Sequence, residues 1–254
     1  MRIYLLLISF FAASCQAAPD YSRIQVVEVI DGDTIKLSNG EIVRYIGIDT
    51  PETYIKSAKK FAYNPQPFSL EAKEFNRNLV MGRFIRVEFD VERYDKYKRL
   101  LGYCFIEDTF INAEILRQGY ASLYTRPPNV KYSENLLSAY RYAKEMKNGL
   151  WGAYETIDSD SAHNYIDQIR TVHGKVVNTY KSESCIFLNF GKNYRTDFTI
   201  VIFNDSIDYF TENNIDPLSY YRNRMVEATG RIRQYNGPEI IVHGPQEIII
   251  LSDE

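Results

Sequence analysis

Histidine and cysteine are scarce in this 254-residue chain, and each scarcity removes a class of chemistry. The three histidines, His163, His173 and His243, all lie in the distal part without ligand spacing, and no cysteine pair is near enough to help them, so the sequence argues against zinc. Residues 22–153 contain no histidine, so none competes there for the role of proton acceptor. Of the three cysteines, Cys104 sits in LLGYCFI and Cys185 in SCIFLNF, and both read as buried small hydrophobes. A disulfide joining them would have to link the two halves of the chain, and that alternative stays open. Long apolar runs are also missing. The run IYLLLISFFAAS near the N-terminus is too short to span a bilayer, and with one preceding Arg and small residues after it reads as a secretory leader over residues 1–18. The mature protein is then secreted or periplasmic. Ala12, Ala13, Ser14 and Cys15 form a loose lipobox with Ala in place of the usual Leu, so a lipid anchor at Cys15 is the alternative.

Charge is low overall and unevenly divided. The net charge is −3; residues 22–153 hold 20 basic and 17 acidic residues, whereas residues 154–254 hold 9 and 15. The resulting balances of +3 and −6 disfavour strong phosphate binding by the distal part. A supporting role, or contact with a protein partner, suits it better.

What is present is concentrated between Val29 and Thr53, VIDGDTIKLSNGEIVRYIGIDTPET. Two alternating apolar runs flank Ser38, Asn39 and Gly40, and Asn-Gly readily takes the positive φ of a tight turn, so the stretch predicts a β-hairpin. A two-residue turn at Asn39 and Gly40 sets Leu37 opposite Ile42, Ile35 opposite Arg44 and Asp33 opposite Ile46, with Asp33 and Arg44 as diagonal neighbours. Pro51 keeps Thr50 extended, and Asp33, Asp49, Glu52 and Arg44 then converge on one end of the hairpin. Two carboxylates about 5 Å apart repel by roughly 3 kcal/mol at an effective dielectric of about 20, so Asp33 and Asp49 should share a proton or bind a cation. Two carboxylates and the Thr50 carbonyl suit calcium better than the strict octahedron of magnesium. Each fragment alone is common turn punctuation. Their joint occurrence is specific.

VIDGDT, Arg44 in the next strand and IDTPET resemble, almost letter for letter, the signature of the staphylococcal nuclease family, and the resemblance covers roughly residues 22–153. It implies a mainly β fold with helices (α+β), built on a five-stranded OB-fold barrel. It also implies a calcium-dependent endonuclease, a hydrolase acting on DNA, RNA or both and leaving 3′-phosphates. Asp33, Asp49 and the Thr50 carbonyl match its metal ligands, Glu52 its general base, and Arg44 one of its two phosphate-binding arginines. In VERYDKYKRLLGYCFI, Asp95, Lys96, Tyr97 and Arg99 fit the family pattern, which makes Arg99 the second arginine and Lys96 and Tyr97 substrate contacts. Pairing of Arg99 with a carboxylate such as Glu92 is the alternative. Tyr124 matches a nucleotide-contacting tyrosine, while the second such tyrosine is replaced by Thr125 or Arg126. Lys98 stands where the familiar family member has glycine.

The remaining pattern sets the architecture. TYIKSAKKFAYNPQP reads as a basic loop; residues 69–81 read as a helix with Leu70, Phe75 and Leu79 in the core, and residues 112–118 as a short one. Residues 133–147 read as a helix with Ser133 as N-cap and Leu136, Leu137, Tyr140, Ala143 and Met146 inside. Residues 154–165 read as a linker. Strand-like runs at 169–177, 185–190, 197–203, 225–232 and 239–242, with a helix between the third and fourth, suggest a second, smaller OB-like β-barrel domain over residues 166–252. Its Phe187, Phe190, Tyr194 and Phe198 either stack on bases or fill a core. A rival reading of the whole is a non-catalytic nucleic-acid- or protein-binding module on a nuclease-like fold.

Overall fold

The computed structural model describes residues 19–57 and 60–251, so the expected leader and Cys15 lie outside the described residues. The chain runs β1 (Ile24–Asp31), β2 (Thr34–Leu37), β3 (Ile42–Tyr45), β4 (Gly47–Asp49), β5 (Tyr54–Ser57), β6 (Lys60–Tyr63), α1 (Ser69–Val80) and β7 (Phe84–Glu88). Next come β8 (Leu100–Ile106), β9 (Thr109–Phe110), α2 (Ile111–Arg117), β10 (Ser122–Tyr124), α3 (Ser133–Glu145) and α4 (Leu150–Ala153). Strands β3, β2, β1, β7 and β8 pair antiparallel in that order, and β8 returns parallel to β3 with Val43 opposite Leu100. The sheet is thereby closed into a five-stranded barrel. Period-two alternation turns Val26, Ile35, Leu37, Val43, Ile85 and Leu100 into its interior. Gly102 permits the closure, because a Cβ there would lie 2.7 Å from Val87 Cγ1 and 3.0 Å from Val43 Cγ1.

Several expectations need correction. The β2–β3 hairpin pairs Ile35 with Val43 and Thr34 with Arg44, one residue away from the expected register. The Gly40 amide donates to the Leu37 carbonyl and Gly40 takes φ +88°, so the loop has three residues and ends in a left-handed glycine. The stretch expected as a basic loop contains the β5–β6 hairpin, Tyr54 opposite Tyr63. On α1 the fully buried stripe is Ser69, Ala72, Asn76 and Val80; Phe75 and Leu79 pack partly buried against the core as expected, while Leu70 is 47% exposed. Asn76 decides this face: it accepts from the Tyr45 hydroxyl at 3.0 Å and donates to the Asp31 carbonyl at 3.1 Å, which turns a polar residue inward. On α3, Met146 lies beyond the last turn and is exposed, and the cap position belongs to Tyr132, not Ser133.

The distal part continues with β11 (Ile157–Asp158), a 3-10 turn (Ser159–Tyr165), β12 (Ile169–Lys175), β13 (Asn178–Lys181), β14 (Cys185–Asn189) and β15 (Thr199–Phe203). It ends with α5 (Asn204–Glu212), α6 (Pro217–Tyr220), β16 (Met225–Arg231), β17 (Arg233–Gln234), β18 (Pro238–Ile241) and β19 (Ile248–Ile250). Two sheets, β11-β12-β16-β19 and β13-β14-β15-β18-β17, enclose a second apolar core that includes Phe190, Phe198, Phe210 and Tyr221. The helices fall between the third and fourth expected strands. Phe190 and Phe198 are core residues, whereas Tyr194 is exposed. Residues 154–165 differ from a free linker: Ile157 and Asp158 pair with β12, the Asp158 carboxylate caps the 3-10 turn, and Ala162 is buried in the second core. Cys104 and Cys185 are buried free thiols.

Ion pairs join the two cores. Lys144 Nζ stands 3.7 Å from Glu227, and Arg126 Nη2 stands 3.2 Å from Asp205. Strand β16 packs beside β10, which brings its last residue, Arg231, to the end of β4.

Candidate active site

The site grows from the turn between β1 and β2. Asp31 is buried and accepts the Gly32 amide, the Thr53 hydroxyl and the Thr53 amide, so it ties the IDTPET segment to the barrel. Burial, and then the charge of Asp33, raise its carboxyl above the ordinary aspartate range. Asp33 follows the turn. Its Oδ1 accepts the Thr34 hydroxyl, and its Oδ2 accepts both the amide and the hydroxyl of Thr50, each at 2.9 Å.

Arg44 bridges the two carboxylates expected as ligands. Its Nη1 pairs with Asp33 Oδ2, and its Nη2 donates to Asp49 Oδ1 at 2.9 Å. Burial opposes the guanidinium charge, but Asp33, Asp49 and Glu52 together hold its proton more tightly than usual. The expected diagonal contact of Asp33 with Arg44 is present despite the shifted register. Asp33 sits in the turn ahead of β2, outside the strand alternation, and its side chain can swing across.

Asp49 ends β4, which β10 flanks with Ser122 opposite Asp49 and Tyr124 opposite Gly47. Burial works against its charge, yet Arg231 and Arg44 overcome that and lower its pKa. Glu52 lies two residues beyond Thr50, and its amide donates to Gln66 Oε1 at 2.8 Å. Burial first, and then Asp33 and Asp49, push its carboxyl up to about 7, partly offset by Arg231 and Arg44. A carboxylate in that range is well matched to taking a proton near neutrality.

Arg99 leads into β8, the strand that closes against Arg44's own strand. Its Nε donates to Asp95 Oδ2 at 2.7 Å, and its guanidinium carbon is 5.5 Å from the Tyr97 ring centre. The partner is Asp95, not Glu92. Asp95 Oδ1 also accepts the Tyr97 and Arg99 amides, and Lys96 Nζ stands 5.2 Å from the Tyr97 ring. Lys98 takes φ +65°, the left-handed conformation that a glycine adopts at no cost, so the departure at this position keeps the turn's shape. Tyr124 is partly covered: its ring meets the edge of His243 at 4.7 Å.

Sequence reasoning missed Arg231. Its Nη2 donates to Asp49 Oδ2 and to the Thr50 carbonyl, both at 2.9 Å, and its Nη1 donates to Gln66 Oε1 at 2.6 Å and the Asp167 carbonyl at 2.9 Å. The acidic balance of the distal part is therefore a poor guide to the charge it presents here. Arg231 and Arg233 line a cleft with Asp49, Tyr124 and Glu247.

Among the described residues no group of three or more His, Cys, Asp or Glu side chains forms a metal cage. The donors at hand are two carboxylates and a carbonyl. One observation tests whether they fit a cation: a single nitrogen, Arg231 Nη2, lies 2.9 Å from both Asp49 Oδ2 and Thr50 O. These two oxygens converge on one point, where the guanidinium stands in for a positive charge. An all-oxygen set of this kind fits a hard ion.

The sequence profile described as "Staphylococcal nuclease homologue" matches residues 42–153. The thermonuclease of Staphylococcus hyicus is 32% identical over 130 residues, which is 50% of this chain and 74% of that protein. The thermonuclease of Staphylococcus intermedius is 35% identical over 129 residues, again 50% and 74%. Endonuclease YncB of Bacillus subtilis is 38% identical over 134 residues, 51% of this chain and 61% of that protein. With the closed five-stranded barrel and the carboxylate–guanidinium cluster at its rim, these similarities make the chain a member of the staphylococcal nuclease family of nucleases.

Proposed function

We propose that the chain is an exported, calcium-dependent endonuclease that hydrolyses phosphodiester bonds of DNA, RNA or both. The observation that carries this reading is the convergence of Asp49 Oδ2 and the Thr50 carbonyl on one cationic point, with Asp33 bonded to the Thr50 amide and Glu52 two residues further on. Asp33, Asp49 and Thr50 O would hold the ion; the chemistry it supplies when bound is polarisation of a non-bridging phosphate oxygen.

The chain's own residues do the rest. Glu52 takes a proton from the attacking water, whose oxygen forms a bond to phosphorus. The bond to the 5′ oxygen breaks, that oxygen takes up a proton from solvent, and the products are a 3′-phosphate and a 5′-hydroxyl. Arg44 and Arg99 donate to the phosphoryl oxygens as charge accumulates, a task that planar paired donors suit. Lys96, Tyr97 and Tyr124 contact the flanking nucleotide. Residues 22–153 form the catalytic domain and 166–252 an accessory domain. Residues 1–18 direct export, and palmitate labelling that depends on Cys15 would distinguish an envelope anchor from free release.

The test is digestion of single- and double-stranded DNA and RNA by the mature chain with calcium, with magnesium and with chelator, alongside Glu52→Gln. Calcium should restore turnover lost to chelator, and E52Q should lose about 10²–10⁴-fold in kcat while still binding nucleotide. Full activity in chelator would remove the metal assignment. Full activity of E52Q would remove the base.

A further inference from the structure

Arg231 arrives from the far side of the molecule onto two oxygens that the reading above assigns to the metal. It ends β16, 182 positions from Asp49 in sequence, and only 14% of its side chain is exposed. Its Nη1 side is anchored by Gln66 Oε1 and the Asp167 carbonyl, and the same Gln66 oxygen accepts the Glu52 amide. The guanidinium is thus clamped from both parts of the chain, with Nη2 aimed at Asp49 Oδ2 and Thr50 O. The guanidinium nitrogen, 2.9 Å from both oxygens, stands at the point where they converge, which is where a divalent ion at about 2.3–2.6 Å from both would have to sit. Each oxygen keeps a second lone pair, but the two cations cannot share that one point. The two positive charges also repel at that range.

We infer that Arg231 is a resident cation that competes with the metal for Asp49 Oδ2 and the Thr50 carbonyl. It sets the affinity of the site for a divalent ion and blocks those oxygens until the ion displaces it. Loading the site then requires the distal part to release one side chain, so metal affinity becomes a property of the contact between the two cores. This inference rests on the assignment of Asp33, Asp49 and Thr50 as the metal site.

Calcium titration of the mature full-length chain by calorimetry tests it, with Arg231→Gln, Arg231→Lys and Asp49→Asn compared with the unaltered protein. R231Q should bind calcium at least tenfold more tightly, and R231K, which keeps the charge but lacks the fork that reaches both Gln66 and Asp49, should bind it about threefold more tightly. Equal or weaker binding by R231Q, with calcium binding by the unaltered chain intact and lost in D49N, overturns the role of Arg231 and leaves the metal site standing. Binding by D49N as tight as that of the unaltered chain removes the metal assignment itself, and this inference with it. If circular dichroism shows R231Q unfolded, R231K decides: no gain in affinity overturns the competition.

Discussion

Thr53 is tied to Asp31 twice, through its hydroxyl to Oδ1 at 2.8 Å and its amide to Oδ2 at 3.2 Å. The residue after Glu52 is thereby fixed to the end of β1, and Asp31 acts as a bracket for the segment that presents the proposed base. Asp31→Ala would leave the buried amides of Gly32 and Thr53 without their acceptor. A loss of about 2–3 kcal/mol in folding stability is expected, since an orphaned buried donor costs its full desolvation. Thr53→Val removes one bond of a carboxylate that keeps others, and should cost about 1 kcal/mol. Urea unfolding reads both, and turnover should fall in D31A even where the chain remains folded. Unchanged midpoints would show that this bracket contributes nothing.

Lys98 holds φ +65° in the turn that aims Arg99, where its amide donates to the Asp95 carbonyl at 3.0 Å. A side chain in the left-handed region costs roughly 1–2 kcal/mol, part of which glycine gives back as unfolded-chain entropy. Lys98→Gly should therefore raise stability by about 0.5–1 kcal/mol, and Lys98→Ala should not. Thermal midpoints of the two variants, measured side by side, check this.

The parts of the site that were legible in the sequence are those whose partners lie close along the chain. Asp33, Arg44, Asp49, Thr50 and Glu52 fall within one hairpin and its exit, so their closeness along the chain brings them together even though the strand register differs and Asp33 lies outside the strand alternation. The register differs from the expected one by one residue because Asn-Gly serves both two-residue and three-residue loops, and the bonds from the Gly40 amide to Leu37 and from the Leu37 amide to Glu41 mark the latter. On α1, Phe75 and Leu79 pack against the core as expected, but apolar spacing also selects Leu70, which is exposed, and cannot anticipate that Asn76 turns inward to satisfy Tyr45 and Asp31. Arg231 carried no signal at all. Its role depends on how two cores pack, and neither spacing nor a net charge summed over a hundred residues encodes that.

His243 should make the fold acid-sensitive. Burial first, and then the positive charge of Arg126, lower its pKa to about 4, against a smaller opposing pull from Asp205. The neutral ring is the folded form, so its contribution is complete above the unfolded value of about 6.5 and is lost as pH falls towards about 4. Linkage over that interval amounts to roughly 3 kcal/mol. His243→Asn should flatten the decline in stability between pH 6.5 and 4, measured by chemical denaturation at a series of pH values. A decline of the same size in the variant would assign it to the carboxylates instead.

In the proposed mechanism Arg44 joins catalysis to the integrity of the site, because the one guanidinium that would meet the phosphate also spans Asp33 and Asp49. Lysine has one nitrogen and cannot serve both. Removing a charge-stabilising donor typically costs about 10²–10³-fold in kcat, and Arg44→Lys should fall near the low end of that range and Arg44→Ala near the high end. In R44A the two carboxylates also lose the guanidinium that bridges them, and Arg231, which remains on Asp49, offsets only part of their repulsion. That repulsion destabilises the metal-free fold and strengthens the attraction for a divalent ion. Calcium should accordingly raise the thermal midpoint of R44A by more than it raises that of the unaltered chain, and scanning calorimetry with calcium and with chelator reads the difference. An equal rise in both proteins would mean that Asp33 and Asp49 are not ligands of the same ion.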